Sequence, residues 1–320
     1  MSKFKILYMN YATEDVYGII RSQLPEGFEL VTLEKDDDKE RLDKIGRVDF
    51  VLVATAKLTR EMLEKAKRLR LIQHQGVGYD TTDVETAKRL GIPIGLTPEG
   101  TSIGVAEHTI LLILAVYKKL VIAHNSLVKG EWLQFALRPE SYEMYGKTLG
   151  LVGFGRIGRE VANRAKPFDV RILYYDKYIH ASPDQKETLG VDEVSFKKLL
   201  AESDIISLHV PLTDETRGMM NHKAFKAMKH TATLINTARG GLVNERDLYE
   251  ALRERVIAGA GLDVFEKEPP SPDNPLFKLD NVILTPHISA GTKDALIAKM
   301  QAAFTNMVRV TRGEKPINLV

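Results

Sequence analysis

The stretch that decides the fold spans residues 149–176 and reads LGLVGFGRIGREVANRAKPFDVRILYYD. An apolar run that predicts a strand leads into Gly153, Gly155 and Gly158, and a helical pattern and a second strand follow. The first glycine permits a tight turn, the second lets the backbone approach a pyrophosphate, and the third lets the helix pack on the strand. Because free N–H groups at the helix start favour phosphate charge, the stretch predicts a dinucleotide site.

An acidic residue ends this stretch. Asp176 closes the second strand 18 residues after Gly158, where a carboxylate can accept hydrogen bonds from the adenosine ribose. A carboxylate at that place repels the 2′-phosphate of NADP, so the sequence favours NAD. Lys177 follows directly and could partly offset the repulsion.

The composition describes an ordinary globular chain and excludes several classes of protein. Its 320 residues suggest about two domains. A net charge of +2 offers no electrostatic reason for binding nucleic acid or a membrane surface, and the absence of cysteine excludes disulfides and thiolate nucleophiles. The most apolar segment, residues 109–123, contains Lys118 and Lys119 and is too short to cross a membrane. We therefore expect a cytoplasmic protein.

Strand-like and helix-like runs alternate along nearly the whole chain, which predicts parallel sheets of the α/β class. The predicted strands span residues 5–9, 48–53, 71–74, 93–94, 148–152, 170–175, 205–208, 233–236, 258–263 and 282–284. One long helix is predicted over 102–129 and a final helix over 293–311. The simplest topology inserts a nucleotide-binding domain, residues 101–289, into a small doubly wound domain formed by residues 1–100 and 290–320.

Polar side chains follow three of the predicted strands at their carboxyl ends, where ligands bind in open α/β sheets. Arg239 can hold a carboxylate with its planar fork, and His287 can exchange a proton near neutral pH. Asp263 ends a strand, and Glu266 or Glu268 could orient the imidazole. Taken singly, such residues are more often structural. Together they form a set suited to hydride transfer beside a dinucleotide site.

The chain resembles the D-isomer-specific 2-hydroxyacid dehydrogenases over essentially its whole length. The matching segments are QGVGYD (75–80), GKTLGLVGFG (146–155), HVPL (209–212), NTARGG (236–241), DVFEKEPP (263–270) and TPH (285–287). The resemblance implies a Rossmann nucleotide-binding domain inserted into a flavodoxin-like substrate-binding domain. It also implies an oxidoreductase that interconverts a 2-keto acid and its D-2-hydroxy acid.

The resemblance also implies residue roles that the pattern leaves open. Arg239 would bind the substrate carboxylate and polarise the keto oxygen, while His287 would donate the proton. Glu268, rather than Glu266, would pair with His287 and favour its protonated form. The implied substrate-binding residues are Val77, Gly78, Arg239 and His287.

For the cofactor, the resemblance implies a nicotinamide dinucleotide; Asp176 favours NAD over NADP, and no pair of His or acidic residues has the spacing of a metal site. The backbone of Arg156 and Ile157 would contact the pyrophosphate, and Asp263 would hold the carboxamide. The remaining implied cofactor residues are Gly153, Gly155, Gly158 and Asp176, then His209 and Pro211 on the adenosine side, and Thr237 and Ala238 beside the nicotinamide ribose.

The choice of substrate is open at this level. We expect a small 2-keto acid, with glyoxylate or hydroxypyruvate favoured. A 3-phosphoglycerate dehydrogenase is the alternative. Many of those enzymes use an Arg for the phosphate, and residues 53–56 lack one, although Lys57 and Arg60 follow closely. We also expect no regulatory domain after residue 320. An NAD-sensing corepressor is an alternative of another class. The resemblance further implies a homodimer formed through the nucleotide domain.

Overall fold

The computed structural model describes residues 3–320, whose contacts separate them into two units. The first unit is the chain up to Thr101 together with Gly291–Val320, and the second is Ser102–Ala290. The second unit is therefore inserted into the first along the sequence. The predicted domain boundaries lie at residues 100/101 and 289/290, next to these division points.

The first unit contains a five-stranded parallel sheet in the order β2-β1-β3-β4-β5. Its strands are β1 (Phe4–Tyr8), β2 (Phe28–Val31), β3 (Phe50–Val53), β4 (Leu71–His74) and β5 (Ile94–Gly95). Successive residues enter opposite cores, since Leu7 and Val51 lie in one buried cluster and Ile6 and Phe50 in the other. This strand order is that of flavodoxin-like folds.

The helices of this unit begin at polar capping residues. They are α1 (Glu14–Ser22), α2 (Asp38–Ile45), α3 (Arg60–Lys65) and α4 (Val84–Arg89). The side chains of Asp37, Thr59 and Asp83 each accept a hydrogen bond from a first-turn N–H of α2, α3 and α4, which satisfies a donor that the helix leaves free.

The second unit contains a seven-stranded parallel sheet in the order β12-β11-β10-β9-β6-β7-β8. Its strands are β6 (Thr148–Val152), β7 (Arg171–Tyr175), β8 (Val191–Glu193), β9 (Ile205–Leu208), β10 (Thr233–Asn236), β11 (Gly259–Leu262) and β12 (Val282–Leu284). Counted from β6, this is the 3-2-1-4-5-6 order of the Rossmann fold with one strand added beyond it. The predicted fold class is confirmed in both units.

The helices of the second unit cover both faces of its sheet. They are α5 (Thr101–Tyr117), α6 (Leu120–Val128), α7 (Arg156–Ala165), α8 (Pro183–Leu189), α9 (Phe196–Glu202), α10 (His222–Ala227) and α11 (Glu245–Arg253). Four short 3₁₀ turns lie between elements, at Arg138–Glu140, Lys166–Phe168, Gly240–Leu242 and Pro275–Lys278.

The prediction of one helix over residues 102–129 is wrong, because α5 and α6 are separate. Lys119 lies between them with a left-handed φ of 52°, and its N–H donates to Val116 O in a tightened i−3 bond. A left-handed residue interrupts the α-helical hydrogen-bond ladder and redirects the chain. The second helix then begins anew, with Ala123 N donating to Lys119 O.

The chain returns to the first unit in α12 (Lys293–Thr311), whose bounds are those predicted. Thr292 caps its first turn, and Met300, Ala303, Phe304 and Met307 lie in the core beneath the sheet. Asn306 Nδ2 donates to Gln73 Oε1 on β4 at 3.0 Å. Among residues 3–320, no helix is long and apolar enough to cross a membrane.

Candidate active site

The glycine-rich turn after β6 lies where backbone segments approach too closely for a side chain. Gly153 has a φ of +103°, and a Cβ there would lie 2.6 Å from the carbonyl carbon of His209. A Cβ on Gly158 would lie 2.3 Å from Gly153 O, so α7 can pack on the turn only with glycine at this position. Beside Gly155, in contrast, a Cβ would meet only Ile179 Cδ1 at 3.9 Å, which leaves space for a ligand.

The start of α7 is open to an anion. Gly155 is its N-cap residue and provides no side-chain cap, so the N–H groups of Arg156 and Ile157 are left to an external acceptor. The partial positive charge of a helix N-terminus favours a phosphate there. The open space at Gly155 and the uncapped helix together fit the pyrophosphate of a dinucleotide.

Asp176 lies at the carboxyl end of β7 and is fixed by its own backbone surroundings. Its Oδ2 accepts Phe154 N at 2.8 Å, and its Oδ1 accepts Tyr178 N at 2.9 Å and Ile179 N at 3.0 Å. The carboxylate is thereby oriented beside the glycine-rich turn. A carboxylate has about four acceptor sites, and these three bonds leave one on Oδ2 for a ribose hydroxyl.

His209 and Pro211 follow β9, the strand next to β6. Ser207 Oγ lies 2.9 Å from His209 Nε2. Burial of the imidazole lowers the pKa of His209 to about 3, so the ring is neutral at physiological pH. This histidine can pack against a ligand, but it cannot serve as a proton donor in the neutral range.

The loop after β10, which carries Arg239, packs against the segment that follows β11. Asn236 is buried, its Oδ1 accepts Ala238 N at 3.1 Å, and its Nδ2 donates to Arg239 O at 3.0 Å. A Cβ on Gly240 would lie 1.8 Å from the carbonyl carbon of Phe265. Because only glycine fits, the two loops pack backbone against backbone. Thr237 is also buried here, with its Oγ1 3.0 Å from that of Thr109.

Glu268 and His287 form a hydrogen-bonded dyad. Glu268 Oε2 lies 2.7 Å from His287 Nδ1, and each side chain is about one-third exposed. Burial alone would raise the pKa of Glu268, but the hydrogen bond and charge of His287, with the charge of Arg239, hold it below its ordinary value. The ionised carboxylate accepts the Nδ1 proton, so Nε2 is the nitrogen that can exchange a proton with a ligand.

The other candidate carboxylate has a different function. Glu266 Oε1 accepts Glu245 N at 3.1 Å, and this N–H is the first of α11. Glu266 therefore caps a helix, where negative charge is favourable. Glu268 is held in turn by Phe265 N, which donates to its Oε1 at 3.1 Å. The peptide bond between Glu268 and Pro269 is cis.

His287 stands in a strained loop, residues 285–289, here called the His287 loop. Its φ is 53°, a left-handed conformation that costs a residue with a side chain about 1 kcal/mol. Asp263 compensates for this strain. It is fully buried, its backbone O accepts His287 N at 2.8 Å, and its carboxylate accepts Ile288 N at 2.9 Å and Ser289 N at 2.8 Å.

Two further residues, Thr285 and His108, complete this arrangement, and neither is a predicted site residue. Thr285 Oγ1 donates to Asp263 Oδ1 at 2.6 Å, so the Thr285 oxygen is left to accept from His108 Nε2 at 3.0 Å. His108 lies on α5, far from the loop in sequence. The only sequence signal for Thr285 is its position two residues before His287.

The predicted substrate loop, residues 75–80, lies in the first unit after β4. Tyr8 Oη donates to Gln75 Oε1 at 3.0 Å, and burial raises the pKa of Tyr8 to about 12, so it remains a donor. Val77 is exposed, and within the described chain the N–H groups of Val77 and Gly78 donate to no other residue. These groups are available to an anionic ligand.

Comparison with known proteins identifies the family. Residues 110–289 match the family model of the D-isomer specific 2-hydroxyacid dehydrogenase, NAD binding domain. The chain is 42% identical over 307 residues to a glyoxylate reductase from Korarchaeum cryptofilum, which covers 93% of this chain and 91% of that one. The chain belongs to the D-isomer specific 2-hydroxyacid dehydrogenases. It is therefore an oxidoreductase with a nicotinamide cofactor.

A second relative and a solved structure are also similar to the chain. A D-3-phosphoglycerate dehydrogenase from Methanocaldococcus jannaschii is 44% identical over 284 residues, which are 88% of this chain and 53% of that one. The crystal structure of the TT0316 protein from Thermus thermophilus has a TM-score of 0.87 and 32% identity, covering 99% of this chain and all of that one.

Proposed function

We propose that this dehydrogenase uses NADH to reduce a small 2-keto acid to its D-2-hydroxy acid, with glyoxylate or hydroxypyruvate as the favoured substrate, and that it catalyses the reverse oxidation. The observation that carries the proposal is the 2.7 Å contact between Glu268 Oε2 and His287 Nδ1, in the same unit as the glycine-rich turn. A histidine held by a carboxylate can deliver a proton through its other nitrogen.

The residues would act on the substrate as follows. Arg239 binds the substrate carboxylate with its planar fork and polarises the keto oxygen. His287 Nε2–H donates its proton to that oxygen as C2 is reduced, and takes it back in the oxidation. Glu268 accepts the Nδ1–H and stabilises the imidazolium. The nicotinamide cofactor, when bound, supplies or accepts the hydride at C2.

For the cofactor, we propose NAD rather than NADP. Asp176 supports this choice, since its fixed carboxylate suits ribose hydroxyls and repels a 2′-phosphate. The roles predicted for Thr237, Ala238 and Asp263 toward the nicotinamide end, and for His209 and Pro211 toward the adenosine, stay predictions. So does the carboxylate-binding role of Val77 and Gly78.

A phosphorylated substrate is the second candidate, because relatives named D-3-phosphoglycerate dehydrogenase are as similar as the glyoxylate reductases. The side chains near residues 53–56 argue against it. Thr55 Oγ1 accepts a hydrogen bond from Asn10 Nδ2, and Arg60 pairs with Glu64 at 2.9 Å. Arg60 therefore already has a carboxylate partner, and Lys57 is the other cation that closely follows residues 53–56.

The test is oxidation of NADH with a panel of keto acids. The panel contains glyoxylate, hydroxypyruvate, pyruvate, 2-ketoisocaproate and 3-phosphohydroxypyruvate, each run with the wild type and with His287→Ala. We expect turnover of the small unphosphorylated acids that falls at least about 100-fold in the variant. Preference for the phosphorylated acid would select the second candidate. Binding of NADH without any turnover would instead support the corepressor-like alternative.

We also propose that the protein forms a homodimer through its nucleotide domain. Large apolar side chains are exposed on α6 and the segment after it, namely Leu120, Val121, Leu127, Val128, Trp132 and Phe135. Such a concentration of exposed apolar residues marks an interaction surface. Light scattering after size exclusion should give twice the chain mass of 35.9 kDa, and Val128→Glu should reduce it to one. A cytoplasmic location stays a prediction.

A further inference from the structure

Lys177, the cation beside the predicted ribose site, is paired with a carboxylate from another loop. Its Nζ lies 2.7 Å from Glu215 Oε2, and Tyr178 Oη donates to the same oxygen at 3.0 Å. Lys177 Nζ also lies 5.3 Å from the centre of the Tyr178 ring. Hydrogen bonding between the two charged groups raises the pKa of Lys177 and lowers that of Glu215, so both are ionised at neutral pH.

This pairing decides the charge that a 2′-phosphate would meet. The phosphate of NADP carries nearly two negative charges and needs a cation next to the ribose. Asp176 contributes one negative charge and Lys177 one positive charge. Glu215 adds a second negative charge and occupies the ammonium group that could otherwise bind the phosphate. The three side chains together carry a net charge of −1.

We propose that Glu215 is a determinant of cofactor specificity, which excludes NADP by holding Lys177 and by adding negative charge beside the ribose. The proposal rests on the dinucleotide site of the proposed function and extends it to a residue on the loop after β9. Glu215 lies 39 positions from Asp176 in sequence and outside the glycine-rich stretch. Its part in the site follows only from its contacts with Lys177 and Tyr178.

An exposed ion pair of this kind contributes little to folding. The side chains of Lys177 and Glu215 are 55% and 58% exposed. Pairs in such surroundings stabilise a protein only weakly, and a lysine on a flexible stem can turn to another anion once its partner is removed. Glu215→Gln should therefore change ligand preference while leaving the fold intact.

The experiment measures the Kd of NADPH and of NADH for the purified full chain, from the fluorescence of the reduced nicotinamide at fixed ionic strength. Glu215→Gln should lower the Kd of NADPH about fivefold, because one repelling charge is removed and Lys177 is released. The Kd of NADH should stay within about twofold of the wild type, since its ribose carries no phosphate. Adding Lys177→Met to Glu215→Gln should abolish most of the gain.

Glu202→Gln is the matched control. Glu202 also pairs with cations on the surface of the same unit, Arg171 at 3.1 Å and Lys198 at 3.7 Å, but it ends α9 before the amino end of β9, away from the carboxyl ends of the strands. The same gain in NADPH affinity with this control would overturn the proposal, because net charge alone would explain it. An unchanged ratio of the two Kd values in Glu215→Gln would also overturn it.

The two levels of inference fail in different ways. If the wild type binds neither reduced cofactor, the proposed function itself is refuted. If it binds NADH and reduces a keto acid while Glu215→Gln leaves the preference unchanged, the proposed function stands and the role of Glu215 is refuted. Higher salt should reduce the gain in NADPH affinity, since exposed charges are screened.

Discussion

Replacing Asp263 by asparagine tests whether a buried carboxylate holds the His287 loop. The substitution barely changes the size of the side chain, but it removes the charge and one acceptor oxygen. Oδ1 accepts Thr285 Oγ1 at 2.6 Å and Ile288 N at 2.9 Å, while Oδ2 accepts Ser289 N at 2.8 Å. An amide has a single oxygen, so at least one of these donors must face an NH₂ group.

The cost of the substitution follows from these contacts. A buried N–H left without an acceptor costs about 2 kcal/mol, and each of the two remaining bonds loses about 1 kcal/mol when its acceptor becomes neutral. The total of about 4 kcal/mol should lower the Tm of a 320-residue protein by about 6 °C, because its entropy of unfolding is about 2.1 cal/mol/K per residue. A shift of the His287 loop on the order of 1 Å would also reduce kcat about 100-fold.

Thermal unfolding and NADH-dependent turnover measure the two effects. Asp280→Asn is the control, because Asp280 is an exposed residue of the same unit that pairs with Arg255 at 2.9 Å, and its loss should cost less than about 1 kcal/mol. If Asp263→Asn melts within about 2 °C of the wild type, the carboxylate does not hold the loop and the reasoning is refuted. An increase in the Kd of NADH would in addition support the predicted contact with the carboxamide.

Three further predictions concern charge and packing. Because the pKa of Glu268 is held below its ordinary value, the Glu268 carboxylate stays ionised through the neutral range. Glu268→Gln should move the alkaline limb of keto-acid reduction about one pH unit lower, seen in a profile of kcat against pH. Gly158→Ala should abolish NADH binding and lower the Tm, since its Cβ would lie 2.3 Å from Gly153 O. Partial burial raises the pKa of Glu40, but its hydrogen bonds with Lys44 and two backbone N–H groups lower it from 4.5 to about 2. The ionised Glu40 carboxylate therefore adds to the free energy of unfolding above pH 4.5, and this contribution is lost as the pH falls toward 2. Urea unfolding should accordingly show Glu40→Gln to be less stable than the wild type above pH 4.5 and equally stable near pH 2.

Each of these predictions has a control or an outcome that would contradict it. The control for Gly158→Ala is Asn163→Ala. This substitution shortens an exposed side chain on the same helix and should leave NADH binding unchanged. An unshifted kcat profile for Glu268→Gln would contradict the role of the dyad in proton transfer. For Glu40→Gln, a stability difference that persists unchanged near pH 2 would show that the carboxylate charge is not the cause.

Buried strands account for most of what the sequence could predict of the fold. The predictions for residues 71–74, 148–152, 205–208 and 233–236 coincide with β4, β6, β9 and β10, since strands covered on both faces are mostly apolar. The predicted set omits β2 and β8, which lie at the edges of their sheets. β8 is only Val191–Glu193 and carries two acids, so pairing with β7, not its own pattern, makes it a strand.

The site was predictable where it depends on strand ends, and not where it depends on contacts between distant segments. Arg239, Glu268 and His287 each follow a strand, so the sequence could place them at one edge. Chemistry alone could not separate Glu266 from Glu268, because both are acids two positions apart. The resemblance selected Glu268, and the structure separates the two physically, with Glu266 capping α11 and Glu268 contacting the imidazole.

Three histidines of the second unit differ in the groups that contact their ring nitrogens. The sequence predicts proton exchange for His287 and an adenosine-side position for His209, and the structure gives these two residues and His108 different contacts. His287 Nδ1 lies 2.7 Å from a carboxylate oxygen of Glu268, whereas burial lowers the pKa of His209 to about 3 and keeps that ring neutral beside Ser207. His108 donates to Thr285, whose hydroxyl proton is already committed to Asp263. A histidine becomes an acid, a packing surface or a fixed donor according to the group at its ring nitrogens, so the catalytic assignment depends on Glu268 as much as on His287.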